Sequence, residues 1–385
     1  MKIFNLLLLF LLLSCNRTDL KKQVYSQPEW KEPAQALTYH LAFTSQFQGE
    51  IYGETKRYKE AEIIDERLVH HNLQIGGGDT LKSYINIYKK RYGDRFILID
   101  TGEIFQSPTS FDENEKTLMH YEELGYDAIG FTKKDFLALN YLTSSATKRP
   151  EFNLNFSNEN IIDLQLGTRI KRTYLSPYKI IKKDGIKFGL IFLETIKGPD
   201  STINGIYVQD PIISLLHLKK EFRREKVDFS IIVINTPTLC QADYGRKPKA
   251  LAETGTDISC PGKDPLKDFI SRMPPFFGDI VVSPSSNPSS GHINSKPVLL
   301  VPGKGQFIGR AQIVYDSINK KFDLKQSALL SPLKLCQHFF AATEDCFIPP
   351  RDSKEFQKRI DGLAKNKFKK IKAKFLGEEI QINNK

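Results

Sequence analysis

The sequence has 385 residues, 40% of them hydrophobic and 26% charged, the proportions of a folded globular chain and not of a disordered one. Its 56 Lys and Arg exceed 45 Asp and Glu by a net +11, yet residues 351–385 alone hold eleven Lys/Arg against five Asp/Glu. The body is therefore near charge balance, which excludes a nucleic-acid groove there and leaves the tail as a basic face suited to anionic lipid, cell-wall polymer or plain solvent.

In chain order, Lys2 precedes an apolar run from Ile3 to Leu13 that closes on Leu12-Leu13-Ser14-Cys15. A run of about 11 residues is too short for a bilayer, which needs about 20. A cation, a short apolar run and a small residue before Cys form the pattern at which a bacterial lipoprotein signal is cut and the cysteine acylated. The expectation is a signal peptide over 1–14, a lipid-bearing Cys15 and an extracytoplasmic mature chain. Asn16 supplies no acidic inner-membrane retention cue, which favours the outer membrane. Residues 15–37, polar and containing Pro28 and Pro33, read as a tether.

The main domain is expected over 38–335. Apolar runs predict buried strands at Leu41–Thr44, Phe96–Asp100, Ala128–Phe131, Ile186–Leu193, Phe229–Ile234 and Asp279–Val282. Helical spacing falls at Thr80–Tyr92, Glu115–Leu124, Ile212–Glu225 and Lys263–Arg272. Strand alternating with helix predicts an α/β fold with a largely parallel sheet. Val298–Val301, Gly309–Tyr315 and Lys321–Leu324 read as a late β element closing an edge. Residues 336–385 form a basic tail in which Phe356, Ile360, Leu363, Phe368, Ile371 and Phe375 suggest an amphipathic helix.

With Cys15 acylated, four cysteines remain, an even count that favours disulfides in an oxidising compartment. Pairing of neighbours gives Cys240–Cys260 and Cys336–Cys346, one of three connectivities, and neither spacing is a zinc pattern. Ligands of an α/β chain collect at strand ends. Here those ends read Phe43–Ile51, Ile99–Gln106, Tyr126–Phe136, Ile232–Pro237 and Asp279–Asn287.

Read in order, these ends resemble the metallophosphoesterase domain of the bacterial 5′-nucleotidase family, within the calcineurin-like superfamily, from about residue 38 to about residue 330. Ile99-Asp-Thr-Gly-Glu-Ile-Phe-Gln-Ser is similar to the family's Asp-Ala-Gly-Asp-Asn-Phe-Gln-Gly segment, and Leu124-Gly-Tyr-Asp-Ala to the stretch before its Gly-Asn-His-Glu motif. Pro177-Tyr-Lys-Ile with Asp184–Ile191 is similar to the strand pair that follows, and Gly76-Gly-Gly to the glycines opening the first long helix. The resemblance implies a four-layer α/β/β/α metallophosphoesterase sandwich. It covers the N-terminal domain only, because the sequence ends soon after the tail that would lead into the second.

Family members hold two divalent metals such as Mn, Zn or Co to activate a water and neutralise a phosphoryl transition state. At the metal positions this sequence has Gln46, Gln48, Glu103, Lys133, Asn235, Ser285 and Asn287, and at the catalytic His-Glu it has Lys134 and Asp135. One carboxylate, amides, a hydroxyl and an ammonium do not make a dinuclear centre, so no metal cofactor is expected. Lys133 or Lys134 can stand where a cation stood and pair with Glu103. Of the histidines, only His292 falls near the last ligand segment; His40, His70, His71, His120, His217 and His338 lie elsewhere.

The expectation is a lipid-anchored envelope pseudoenzyme whose cleft binds an anionic small molecule or an envelope partner. The alternatives are an active phosphoesterase or 5′-nucleotidase with a divergent centre, and a structural envelope lipoprotein. No phosphate-binding loop follows Gly76-Gly77-Gly78, which lacks the Lys-Ser/Thr such a loop needs.

Overall fold

Alternation of buried side chains along each strand decides the layers. The computed structural model describes residues 36–57, 62–64, 67–69, 72–145, 152–164, 166–170, 172–195, 202–203, 205–242, 248–336, 339–340 and 375–376. The signal, Cys15, the tether up to residue 35, His70, His71, His338, Cys346 and most of the expected tail helix lie outside them.

The first half runs β1 (Ala36–Thr44), α1 (Gly78–Tyr92), β2 (Phe96–Asp100), α2 (Phe111–Leu124), β3 (Ala128–Gly130), α3 (Lys133–Ser145) and β4 (Phe156–Ser157). The second half runs β5 (Lys179–Lys183), β6 (Ile186–Glu194), α4 (Pro211–Glu225), β7 (Phe229–Asn235), α5 (Pro265–Arg272), β8 (Ile280–Pro284), β9 (Ser289–Ile293), β10 (Lys296–Val301), β11 (Phe307–Asp316) and β12 (Ala328–Lys334). A nine-stranded sheet places β4, β3, β2, β1, β11 and β12 side by side, and a six-stranded sheet has the order β5-β6-β7-β8-β10-β9.

Within Phe96–Asp100, Ile97 and Ile99 point one way and Leu98 the other, as the two-residue strand period requires. Leu98 packs with Leu81, Ile85, Leu118, Tyr121 and Leu139 of α1, α2 and α3. Ile97 and Ile99 meet Phe188, Leu190, Phe192, Ile231 and Val233 of the second sheet. The outer face of that sheet, through Ile191, Ile232 and Val281, packs on Leu215 and Leu218 of α4 and Phe269 and Ile270 of α5. The result is the expected α/β/β/α order. Each fully buried side chain of this size contributes about 1.5–3 kcal/mol.

Local signals set the helix starts. Asp210 caps α4 by accepting from Ile212 N–H at 2.8 Å, with Pro211 in the first turn. Asp264 does the same for α5, accepting from Leu266 N–H at 2.9 Å beside Pro265. A proline at the first helical position loses no needed donor.

The sheets are largely parallel, as expected: β1, β2, β3 and β4 run parallel, as do β6, β7, β8 and β10, while β5, β9 and β12 pair antiparallel. Three expectations are corrected. In the late β element only Lys321–Phe322 has a single partner strand, whereas β10 lies between β8 and β9 and β11 between β1 and β12. Its residues are apolar on both faces, with Ile308 facing the helices and Ala311 and Ile313 the other sheet, and only an interior strand buries both. Phe375, expected in the tail helix, instead pairs with Phe340 in a two-residue antiparallel ladder between strand-prone aromatic segments. β1 also begins two residues ahead of the expected domain start.

Candidate functional site

The parallel strands deliver their C-terminal ends to one side of the molecule. β1 and β2 end in register, Thr44 opposite Asp100. The loops that follow stay zipped: Gln46 N–H donates to Gly102 O at 3.1 Å, Gln48 N–H to Glu103 O at 3.2 Å and Gly49 N–H to Ile104 O at 2.8 Å. Gln46, Gln48 and Glu103 adopt left-handed φ of 39°, 53° and 59°, a region sparsely occupied by residues other than glycine. Those backbones bring three side chains together. Gln46 Nε2 donates to Glu103 Oε2 at 2.8 Å and Gln48 Nε2 to Oε1 at 3.2 Å. The Lys134 ammonium closes an ion pair on Oε1.

Beneath this group lies a floor of buried carboxylates. Asp135, fully buried, accepts from Glu103 N–H at 2.8 Å, Ile104 N–H at 2.9 Å, Thr132 N–H at 2.9 Å and Thr132 Oγ1 at 2.8 Å. Asp100, also fully buried, accepts from Thr44 Oγ1 at 2.5 Å, Tyr121 OH at 3.0 Å and Gly102 N–H at 2.7 Å. Burial pushes both carboxyls up to about 6, against the pull of those donors. Asp135 thus caps α3 and holds the Glu103 loop.

Across the cleft, β6 and β7 end with Glu194 opposite Asn235. The Glu194 carboxylate accepts from Lys133 N–H at 2.8 Å, and burial pushes it up to about 7. Thr195 Oγ1 donates to Thr236 Oγ1 at 2.5 Å. Asn160, fully buried, joins Glu194 to the next loop by donating to Glu194 O at 2.7 Å and to Gln209 O at 2.8 Å. The cleft measures about 1630 Å³, and Gln46, Glu103, Lys133, Lys134, Asn235 and Ser285 line it. Gln48 reaches it only through Glu103, Asp135 lies below, and Asn287 is not in the lining; its N–H donates to Ser285 Oγ at 3.1 Å. A Cys240–Cys260 disulfide ties two segments of the wall. Cys336 is a buried free thiol, and Cys346, its expected partner, lies outside the described residues.

His292 sits in β9, buried, with Nδ1 4.0 Å from Asp257 Oδ1 and away from the cleft lining. His40 stacks on Tyr92, His120 is buried against Phe47, and His217 is exposed on α4. Sequence reasoning did not single out Glu194, Thr195, Thr236, Asp210 or Arg272. Glu194 carried a usable signal, a carboxylate directly after the buried run Ile186–Leu193. Arg272 carried none, since its 2.8 Å ion pair to Asp210 joins two helices far apart in sequence.

These residues do not fit a dinuclear metal centre. Both Glu103 oxygens already accept, and the groups facing them are amide N–H donors and an ammonium, which repel a cation. The amide orientations are dictated by the carboxylate, which cannot donate. Among the described residues, the His, Cys, Asp and Glu clusters with mutually close ligand atoms are Cys240–Cys260–Asp264 and Glu253–Asp257–His292. The first contains the disulfide, and in the second Lys249 Nζ lies 2.8 Å from Asp257.

No protein-family model and no curated protein matches the sequence. Solved structures are similar in fold. An NAD nucleotidase from Haemophilus influenzae aligns at 12% identity and TM-score 0.52, over 86% of this chain and 56% of that one. A 5′-nucleotidase precursor from Thermus thermophilus aligns at 14% and 0.50, over 86% and 59%. A calcineurin-like phosphoesterase from Bacillus subtilis aligns at 13% and 0.50, over 86% and 98%. The chain thus spans little more than half the length of the two nucleotidases. At these identities the likeness is one of fold: the chain has the α/β architecture of 5′-nucleotidase and calcineurin-like phosphoesterase domains.

Proposed function

We propose that this chain is a lipid-anchored protein of the bacterial cell envelope, extracytoplasmic and held at the outer membrane through Cys15, whose metallophosphoesterase-like domain is a pseudoenzyme. One observation carries the non-catalytic part: the carboxylate at the family's bridging-metal position, Glu103, is paired with the Lys134 ammonium and accepts from Gln46 and Gln48. A carboxylate that already accepts from an ammonium and two amides, with those donors crowding both its oxygens, is a poor ligand for the divalent ions that would activate a water. The anchor rests on Lys2, the run from Ile3 to Leu13 and Ser14-Cys15.

The cleft then serves binding. Lys133, Lys134, Lys263 and Lys267 all line it, and the last two are exposed on or beside the first turn of α5, which suits an anionic small molecule or an anionic group of an envelope partner. The test is metal content and hydrolysis of nucleoside monophosphates after growth and assay with Mn, Co or Zn. The expected result is substoichiometric metal and no turnover above background. Turnover that disappears in Glu103→Ala would reinstate an active phosphoesterase with a divergent centre. A thermal-shift series with inorganic phosphate and nucleotides tests the anion, and a shift abolished by Lys263→Ala with Lys267→Ala is the expected outcome.

A further inference from the structure

The end of the molecule opposite the cleft, where the parallel strands begin, is charged differently. The polypeptide enters β1 there at Ala36, α1 runs out through Lys89, Lys90 and Arg91, and α4 ends at Arg223 and Arg224 with Lys226 as its C-cap. The β5–β6 turn and the turn after β11 close the same end. Contacts tie these pieces together: Arg95 Nε lies 3.4 Å from Asp184 Oδ2, Lys183 Nζ 3.8 Å from Asp127 Oδ1, and Asp228 N–H donates to Lys187 O at 2.9 Å. The Phe322 ring lies 4.9 Å from Phe229 and 6.0 Å from Phe188, which seats the β11 turn beside the starts of β6 and β7.

Some cations at this end are used structurally. Lys89 Nζ donates to Leu124 O at 2.5 Å and Lys187 Nζ to Glu225 O at 2.5 Å, each completing a helix C-terminus. Asp228 and Asp316 are engaged in turns, Asp228 accepting from Lys187 N–H at 2.9 Å and Asp316 from Ile318 N–H at 2.9 Å and Asn319 N–H at 3.0 Å, while Asp94 is exposed. Lys90, Lys182, Arg223, Lys226, Lys320 and Lys321 are exposed. Among the described residues, none of these six makes an ion pair; Lys321 stands opposite Asp316 across the strand ladder and helps hold its carboxyl below the usual range, and the other five have no carboxylate partner. In the cleft Lys134 is paired with Glu103, and Arg272 with Asp210 and Asp268, while Lys263 and Lys267 are exposed.

We propose that this strand-start end is a docking face for an anionic bilayer surface, its unpaired lysines and arginine meeting lipid phosphates while the cleft faces away. The inference rests on the lipid-anchored reading. Chain connectivity favours this end: Cys15 and Ala36 are 21 positions apart, a reach of at most about 75 Å, and the tether joins the domain on this face. Attraction to headgroups acts only within about a Debye length, about 8 Å at physiological salt, so the face must approach closely to be held.

The test uses the full chain, incorporated through its own anchor into vesicles of phosphatidylcholine alone or mixed with one-quarter phosphatidylglycerol. Exposed lysines are acylated with a membrane-impermeant amine reagent and read by peptide mass spectrometry. In anionic vesicles at low salt, Lys90, Lys182, Lys226 and Lys321 should label about threefold more slowly or less, with Lys263 and Lys267 unchanged, and the protection should vanish at molar salt. A Lys182→Glu, Lys226→Glu, Lys321→Glu variant should lose the protection. Equal rates in the two vesicle types, or protection of the cleft lysines instead, would overturn the proposal. A chain that lacks diacylglycerol and does not incorporate refutes the anchor alone; the same labelling after addition to preformed anionic vesicles then decides the face.

Discussion

The floor and the rim of the cleft handle negative charge in opposite ways. Asp100 and Asp135 are fully buried and surrounded by short hydrogen bonds from backbone and hydroxyl donors, whereas Glu103 is answered by a lysine that is itself 62% exposed. The floor shapes the loops and the rim decides what those loops can hold. The difference teaches that the groups that hold these loops in place are separate from the groups that the loops present to the cleft.

The sharpest way to break the comparison is at Asp135. Asp135→Ala strands the N–H groups of Glu103, Ile104 and Thr132 in a dry site, so a loss of about 3–5 kcal/mol is expected from urea unfolding. A loss under about 1 kcal/mol would mean that the floor does not hold the rim.

A pH series probes the floor next. The folded-state carboxyl of Asp100 lies at about 6, above its usual 3.8. The stability contributed by its neutral form is complete below about 3.8 and is lost as pH rises through about 6. Asp100→Asn should therefore gain on the wild type by about 2–3 kcal/mol between pH 4 and pH 7. A constant difference across that range would contradict the assignment.

Reduction of Cys240–Cys260 tests the wall and not the floor. Its 20-residue separation predicts about 3 kcal/mol on loop-entropy grounds, measured as a lower urea midpoint with dithiothreitol. At the rim the effect should be smallest. Lys134→Met should cost about 1 kcal/mol or less, because the ammonium is mostly hydrated. A larger cost in thermal unfolding would place the Glu103 ion pair among the structural elements.

Much of this fold was legible because its signals are local. Phe96–Asp100 reads as a buried strand from five residues, and Asp210-Pro211 and Asp264-Pro265 announce helix starts. The helix at Lys133–Ser145 was hidden behind its polar first turn, although Phe136, Leu139 and Leu142 mark a buried face. The sheet positions of β10 and β11 depend on pairing with strands far away in sequence, which periodicity does not encode. At the site, Glu103 and a lysine at 133 or 134 emerge as neighbours only through the family resemblance. The choice of Lys134 is settled by geometry, since its ammonium reaches Glu103.

The backbone at Gln46, Gln48 and Glu103 limits which side chains can succeed one another there. A left-handed φ admits glycine, asparagine and aspartate more readily than branched residues. A saturation library scored by expression level should therefore thin out at valine, isoleucine and threonine at all three positions, whatever the cleft binds. Substitution at this rim is channelled by chain geometry, so the backbone limits the chemistry these loops can display.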